Sequence, residues 1–493
     1  MVLQSVWQHT FGLLPDKPIL VEPVEAQLSS DGGLLPIRQF DETIGLTAQF
    51  AAALDDPRQP ELTQHAFAEM TRSRIYGIVA DYEDQNDHDV LRSDPIFKII
   101  AGRSPDARDL ASQPTLSRFE NAIRVPSLFR LQHVLIDQFI AALGTSPGRV
   151  TFDIDVFDDP THGDQQMTFY HGFYEQYQYL PRVITCANND LAVLVTLLFG
   201  TAHPALGADD DLELLAGRLR ERWPDLDIEL RGDSAFAVPR MYDACERRGI
   251  FYTFGLRMNA VLERNSREML DEAVRRYEAT GQAQRLFCGF WYQADSWPAP
   301  RWVAVKCEAS AQGSNRRAVV TNRPGALILP AAAYDEYAER GESENRNKEL
   351  KCGLSADRLS DHRYMANLFR LYLHTAALNL MVRLRRAVAD PPPAPDLRAA
   401  VADDLSRTPD AVPIEALGGA NRKRYQNRRR DHDPLGEGQP CTWRTRLIKV
   451  AAAVFVRARL IRVQLSSCWP YLEQFRRISA AITPPSAAPL PSG

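Results

Sequence analysis

One stretch limits the possible folds more than any other: Val150-Thr-Phe-Asp-Ile-Asp-Val-Phe157 alternates with the period of a strand that has one buried face. Side chains two apart on a strand share a side, so Asp153 and Asp155 face the same way, where a buried face normally carries Val or Ile. A carboxylate on a core strand is costly unless it is paired, hydrogen-bonded or bound to metal.

The chain reads differently on the two sides of this strand. Residues 1–145 show apolar side chains at three-to-four spacing over 40–54 and 128–143, the pattern of helices. Between these, Ser112-Gln-Pro-Thr-Leu-Ser-Arg-Phe-Glu-Asn121 predicts a Pro-started helix with a short polar face that includes Arg118, which is either a surface helix with no partner, the more ordinary reading of the segment alone, or a helix lying across DNA. After the strand, 166–174 and 179–186 read as two more strands, 190–198 and 212–223 as helices, 227–234 as a strand, 238–248 as a helix and 250–256 as a strand. Three strands followed by alternating helices and strands predict a mixed sheet covered by helices. A helix over 266–280 precedes a block of aromatic and β-branched residues at 286–292, 302–306 and 317–322, read as strands of an insertion. From 331 to about 388 the pattern is helical again, and Asp390-Pro-Pro-Pro-Ala-Pro395 opens a Pro/Arg-rich linker. The expected domains are 1–145, 146–284, 285–329, 330–389, a linker at 390–440, and a basic region at 441–493.

Composition narrows the class. With 493 residues, 45% of them apolar and 25% charged, the chain is long enough for two or three globular domains. Seven cysteines with no CxxC pair predict a reduced protein without zinc modules, and no apolar run reaches the ~18 residues of a bilayer span. A cytoplasmic location with no membrane partner is the expectation. The net charge of -5 hides an asymmetry, because 421–480 holds 14 Lys/Arg against 4 Asp/Glu. The run Asn421-Arg-Lys-Arg-Tyr-Gln-Asn-Arg-Arg-Arg430, which includes Arg428, is either a solvated basic stretch or a contact for nucleic-acid phosphates.

Tyr337, Arg340, Glu344 and Lys351 fall within about 60° of one another on a helix turning 100° per residue, so all four share a face. A charge-rich surface helix gives such coincidences too. Here, however, a tyrosine, two cations and a carboxylate lie on one stripe, with Gly341 retained mid-helix at roughly 1 kcal/mol. Asp233 follows the strand at 227–230 immediately before a turn, where an acid is either a turn former or part of a site.

Taken together, a strand Asp, a second strand-end Asp and a helical Glu within Tyr337-x2-Arg340-x3-Glu344-x6-Lys351 resemble the DDE transposases of bacterial insertion sequences, in the insertion sequence four superfamily with its Tyr-Arg-Glu-Lys signature. Three stretches resemble its insertion-sequence thirteen-eighty branch: Asp153-Ile-Asp-Val-Phe-Asp-Asp-Pro-Thr-His-Gly-Asp-Gln-Gln166, Arg231-Gly-Asp-Ser-Ala-Phe236 and Ser30-Asp-Gly-Gly-Leu-Leu-Pro36. The resemblance runs from about 25 to 389. It implies an α/β fold with an RNase H-like mixed sheet core flanked by helices, a β-rich insertion before the Glu, and a helical N-terminal DNA-binding region.

The resemblance also implies roles. Asp155 (or Asp153), Asp233 and Glu344 would bind two Mg²⁺ or Mn²⁺ ions per active site, which relieve the repulsion of gathered carboxylates and support phosphodiester hydrolysis and transesterification. Arg340, Lys351 and Lys348 would hold phosphates of the element's end, and Tyr337 a phosphate or a displaced base. Trp291, Trp297 and Trp302 are candidates to receive a flipped base, each also readable as a core strand residue. The partners implied are double-stranded DNA with terminal inverted repeats, target DNA, and a second copy in a synaptic homodimer; the implied location is a bacterial nucleoid.

One departure leaves the first acid open. Relatives carry Thr or Ser two residues after it; here Phe157 follows Asp155, and Asp155 follows Asp153. The resemblance favours Asp155 over Asp153, because Asp155 holds the place of the family's Asp just before the Asp-Pro-Thr-His-Gly turn, with Phe157 where Thr is expected. His162 and His171 resemble catalytic bases, but the family needs none. A metal-dependent nuclease of the same fold would share the three acids without needing the Tyr/Arg/Lys stripe. A transposase-derived repressor would need none of the acids.

Overall fold

A computed structural model describes residues 8–323, 329–389 and 439–482. The basic run with Arg428 and nearly all of the expected linker lie outside the described residues.

A short hairpin, β1 (His9–Phe11) with β2 (Ile19–Val21), opens the described chain, followed by β3 (Gln27–Ser29). Seven helices then fill the stretch from Leu34 to Leu143, the last and longest being Val125–Leu143. The remaining strands up to Thr321 make one ten-stranded sheet: β4 (Arg149–Val156), β5 (Asp159–Pro160), β6 (Phe169–His171), β7 (Gln176–Cys186), β8 (Ala192–Phe199), β9 (Asp227–Gly232), β10 (Phe251–Leu256), β11 (Gln284–Tyr292), β12 (Arg301–Ser310) and β13 (Gly313–Thr321). Across its middle the order is β8-β7-β4-β9-β10. Here β4, β9 and β10 run parallel, while β7 is antiparallel to both β4 and β8. The parallel crossovers carry the helices Ala208–Arg222 and Pro239–Arg247, as parallel strands require.

Four readings of the sequence change. The segment 190–198, expected as a helix, is β8. Its run Ala-Val-Leu-Val-Thr-Leu-Leu-Phe is almost wholly buried, and a continuous apolar run fits a two-sided buried strand as well as a helix. The strand expected over 166–174 is only the short β6. The β-rich block does not make a sheet of its own: β13 pairs antiparallel with β10 over Thr253–Leu256, so β11 to β13 extend the same sheet to its edge. The helix expected from 331 to 388 is broken into Pro330–Ala338, Gly341–Lys348 and Tyr364–Val388, with a π turn at Glu349–Gly353 and non-helical chain at 354–363.

The helix Tyr364–Val388 lies in the core, and several of its buried polar groups are paired. Arg370 and Arg74 share Glu120, which has no solvent exposure, at 2.5 and 2.7 Å. Asn379 accepts from the Ala192 N–H at 2.9 Å and donates to its carbonyl at 2.7 Å, filling the ladder where the β7–β8 register slips. Paired this way, buried charge and amide cost little.

The C-terminal segment folds back onto the N-terminal part. β14 (Ala452–Val456) pairs with β15 (Ile461–Leu465) and with β3. The Ser30–Pro36 motif is the seam. Gly32 and Gly33 donate to Val450 and Ile448 carbonyls at 3.1 Å, and a Cβ on Gly33 would lie 1.7 Å from the Leu447 carbonyl oxygen, so only glycine fits. Asp31, 1% exposed, takes Lys449 at 2.7 Å and the Tyr82 hydroxyl at 3.1 Å. Among the described residues no helix is long and apolar enough to cross a membrane.

Candidate active site

The ends of three parallel strands set the floor of the site. In register, Ile154 of β4 pairs Gly232 of β9, which pairs Phe254 of β10. One residue further along the chain come Asp155 and Gly255 on their strands and Asp233 just past the end of β9. Asp233 turns the chain: its Oδ1 accepts from the Ala235 N–H at 2.9 Å. Gly255 leaves room for Tyr337, since a Cβ there would lie 2.7 Å from the tyrosine hydroxyl.

The signature segment crosses above this floor. The backbone stays right-handed helical through Glu339 and Arg340, but the bonds from Arg340 to Tyr337, Glu342 to Glu339 and Ser343 to Arg340 are three-residue ones. This tightened turn overwinds the helix, and the π turn at Glu349–Gly353 unwinds it again. The face predicted for an even helix is thereby redistributed, with Tyr337, Arg340 and Glu344 over the strand ends and Lys351 beyond them.

Arg340 ties the segment to the sheet. Its Nη1 donates to Asp155 at 2.9 Å and its Nη2 to Glu344 at 2.8 Å, and its guanidinium stands 5.9 Å from the centre of the Tyr337 ring. The Arg340 side chain is 14% exposed, Asp155 18% and Glu344 59%. Burial pushes the Asp155 carboxyl up to about 6 against the pull of Arg340, and Asp233 and Glu344 push it the same way. Burial opposes the charge on Arg340, but Asp155, Tyr337 and Glu344 more than restore it, so it stays protonated. Tyr337 is raised by burial and drawn partway back by Arg340.

Lys351 is engaged rather than free: its Nζ lies 2.5 Å from Asp158, which also accepts from Gln176 at 3.3 Å. Burial opposes ionisation of Asp158, yet the Lys351 ammonium outweighs it and holds the carboxyl below its ordinary value. The turn bearing Lys351 is held from behind by the C-terminal segment, where Arg444 donates to the Gly353 carbonyl at 2.8 Å and to Ile78 and Val79 carbonyls at 2.9 and 3.1 Å. Lys348 is exposed on the helix that carries Glu344, and Arg118 is exposed on the helix Gln113–Ala122.

Asp153, the other reading of the first acid, faces inward. It is 2% exposed, and both its oxygens are taken by Arg231 of β9, its register partner, at 2.7 and 2.8 Å. Arg231 also donates to the Glu336 carbonyl at 2.6 Å, which satisfies an acceptor in the last turn of Pro330–Ala338. Phe157 is core, 6% exposed. Of the tryptophans, Trp297 is packed between Tyr242 and Tyr292, while Trp291 is 63% exposed and edge-on to Trp302 at 5.7 Å. His162 is exposed, and His171 accepts from the Phe173 N–H at 3.3 Å. Sequence reasoning missed Asp158, Gly255 and Arg231. Asp158 and Arg231 stood inside the quoted motifs, but only the register shows whom they face.

The expected pocket of three gathered carboxylates is not formed. Among the described residues no group of three or more His, Cys, Asp or Glu is close enough to hold a metal ion. What brings Asp155 and Glu344 to one point is a guanidinium. The donors themselves, carboxylate oxygens around one positive charge with a third acid within electrostatic reach, are of the chemistry that suits a hard divalent cation such as Mg²⁺ or Mn²⁺.

The sequence matches the family described as Transposase DDE domain group 1 over residues 11–399. The match spans well over half of the 493 residues, and the chain belongs to that family. DDE transposases generally use divalent metal ions. Among solved structures, the piggyBac transposase synaptic complex with hairpin DNA is similar at 13% identity and a TM-score of 0.38, with 94% of this chain and 87% of that chain covered. No curated protein matches.

Proposed function

We propose that this transposase excises and reinserts an insertion sequence of the insertion sequence four superfamily by cut-and-paste. On this reading the β8-β7-β4-β9-β10 core is RNase H-like, and Asp155, Asp233 and Glu344 are its catalytic acids. The protein acts in a bacterial nucleoid on terminal inverted repeats, as a homodimer in the synaptic complex. The observation that carries the reading is the Arg340 bridge, which joins the strand acid Asp155 to Glu344 of the signature helix at 2.9 and 2.8 Å.

Divalent ions held by the three acids would supply Lewis-acid activation of a water or 3′-hydroxyl and would stabilise the departing oxygen. The chain's own residues do the rest. Asp155 on β4, Asp233 one residue past β9 and Glu344 on the signature helix would hold those ions, and their placement thereby fixes where the scissile phosphate sits. Arg340 grips two phosphate oxygens, whereas Lys351 and Lys348 act as point charges along the backbone. Tyr337, seated over Gly255, donates its hydroxyl to a phosphate or stacks on a displaced base. Hydrolysis breaks a P–O bond and frees a 3′-hydroxyl at the element's end; that hydroxyl then attacks a target phosphodiester, and the target strand's own 3′-hydroxyl leaves. Arg118 and the run containing Arg428 add non-specific phosphate contacts.

Asp233→Asn and Glu344→Gln are expected to lower end cleavage on the order of 10³-fold or more, ~4 kcal/mol of barrier, with repeat binding by gel shift retained. Equal loss of binding and cleavage, or cleavage that persists, overturns the assignment.

A further inference from the structure

We propose that Arg340 is an exchangeable counter-cation: it holds Asp155 and Glu344 together in the DNA-free protein, and its transfer to a DNA phosphate couples metal binding to DNA binding. The inference rests on the catalytic reading above and concerns regulation of that same site.

The geometry leaves little alternative. One guanidinium uses two nitrogens on two carboxylates, at 2.9 and 2.8 Å, and it is largely buried. A divalent ion held by those carboxylates would compete with this like charge for the same two acids, and arginine cannot shed its proton to relieve the repulsion. The guanidinium must therefore leave when the ion enters. Displaced, it would be a cation without its acids; the Tyr337 ring, 5.9 Å away in the acid-bound arrangement, can steady a cation but not neutralise it. A phosphate restores a two-oxygen partner. Lys351 differs in this respect, because its partner Asp158 lies outside the three acids and nothing requires the pair to separate. Linkage then demands reciprocity: whatever draws Arg340 to DNA raises metal affinity, and metal raises affinity for DNA by the same factor.

The test is Mn²⁺ binding to the full-length protein, read by electron paramagnetic resonance of free Mn²⁺, with and without a saturating short blunt DNA duplex. Wild type is expected to bind Mn²⁺ ~10-fold more tightly with the duplex. Arg340→Ala should bind it ~10-fold more tightly than wild type in the absence of DNA, and the duplex should then change its affinity less than ~2-fold. Arg340→Gln keeps a polar side chain with one amide donor but removes the charge; it should behave as Arg340→Ala does, and it guards against a folding defect in the truncation. Wild-type coupling that survives both substitutions overturns the inference and leaves the catalytic reading intact. Mn²⁺ binding unchanged in Asp155→Asn/Glu344→Gln overturns both.

Discussion

Asp153 and Asp155 lie two residues apart on one face of β4, and each meets an arginine. Asp153 is paired within the sheet: Arg231, its register partner on the next strand, takes both oxygens at 2.7 and 2.8 Å and leaves it 2% exposed. Asp155 is paired from outside the sheet. Its Oδ2 meets Arg340, its Oδ1 accepts from the Val156 N–H at 2.9 Å, and the same guanidinium is shared with Glu344. A pair built into two hydrogen-bonded strands has nowhere to go, so it is part of the frame. A pair between a strand end and a tightened helical turn can open without disturbing a ladder, which is what a site needs.

The comparison can be broken first at Asp153. Asp153→Ala leaves the Arg231 guanidinium buried without its carboxylate and should cost ~3–5 kcal/mol of stability in urea unfolding. Replacing both partners, Asp153→Leu with Arg231→Met, should recover most of that loss. A loss below ~1 kcal/mol for the single change would show that the pair is not part of the frame.

A smaller effect sharpens the contrast at a buried group whose hydrogen-bond partner is a backbone carbonyl rather than an acid. His374 donates through Nδ1 to the Leu354 carbonyl at 2.8 Å, and burial, helped by nearby Arg74, draws it down to about 3. The unfolded chain takes up a proton near 6.5 that the folded chain refuses, so it binds more protons between these values. Stability therefore falls as pH is lowered through that window, by ~1.4 kcal/mol per pH unit from this group. Urea midpoints from pH 7 to 5 should show the slope in wild type and a flatter one in His374→Gln; an unchanged slope would remove His374 from the account.

Much of this was legible in the sequence because its signals are local. The alternation at 150–157 and the turn after Gly232 mark the two strand ends, and the Tyr-Arg-Glu-Lys spacing marks the helix that covers them. What escaped depends on distant partners. The run at 192–199 is apolar on both faces, so no period distinguishes strand from helix. The choice between Asp153 and Asp155 turns on Arg231, which only the β4–β9 register brings alongside. The docking of 439–482 on β3 leaves no local trace beyond the paired glycines at 32 and 33. The four signature residues were placed by assuming an even helix, whereas a tightened turn and a π turn set where each one points.

The most direct trial is cleavage of the element's end by Asp155→Asn and Asp153→Asn, compared at a temperature where both are folded. Loss on the order of 10³-fold in the first, with the second within about tenfold of wild type, is the predicted result. Cleavage that survives in Asp155→Asn and disappears in a folded Asp153→Asn would contradict the assignment of the site.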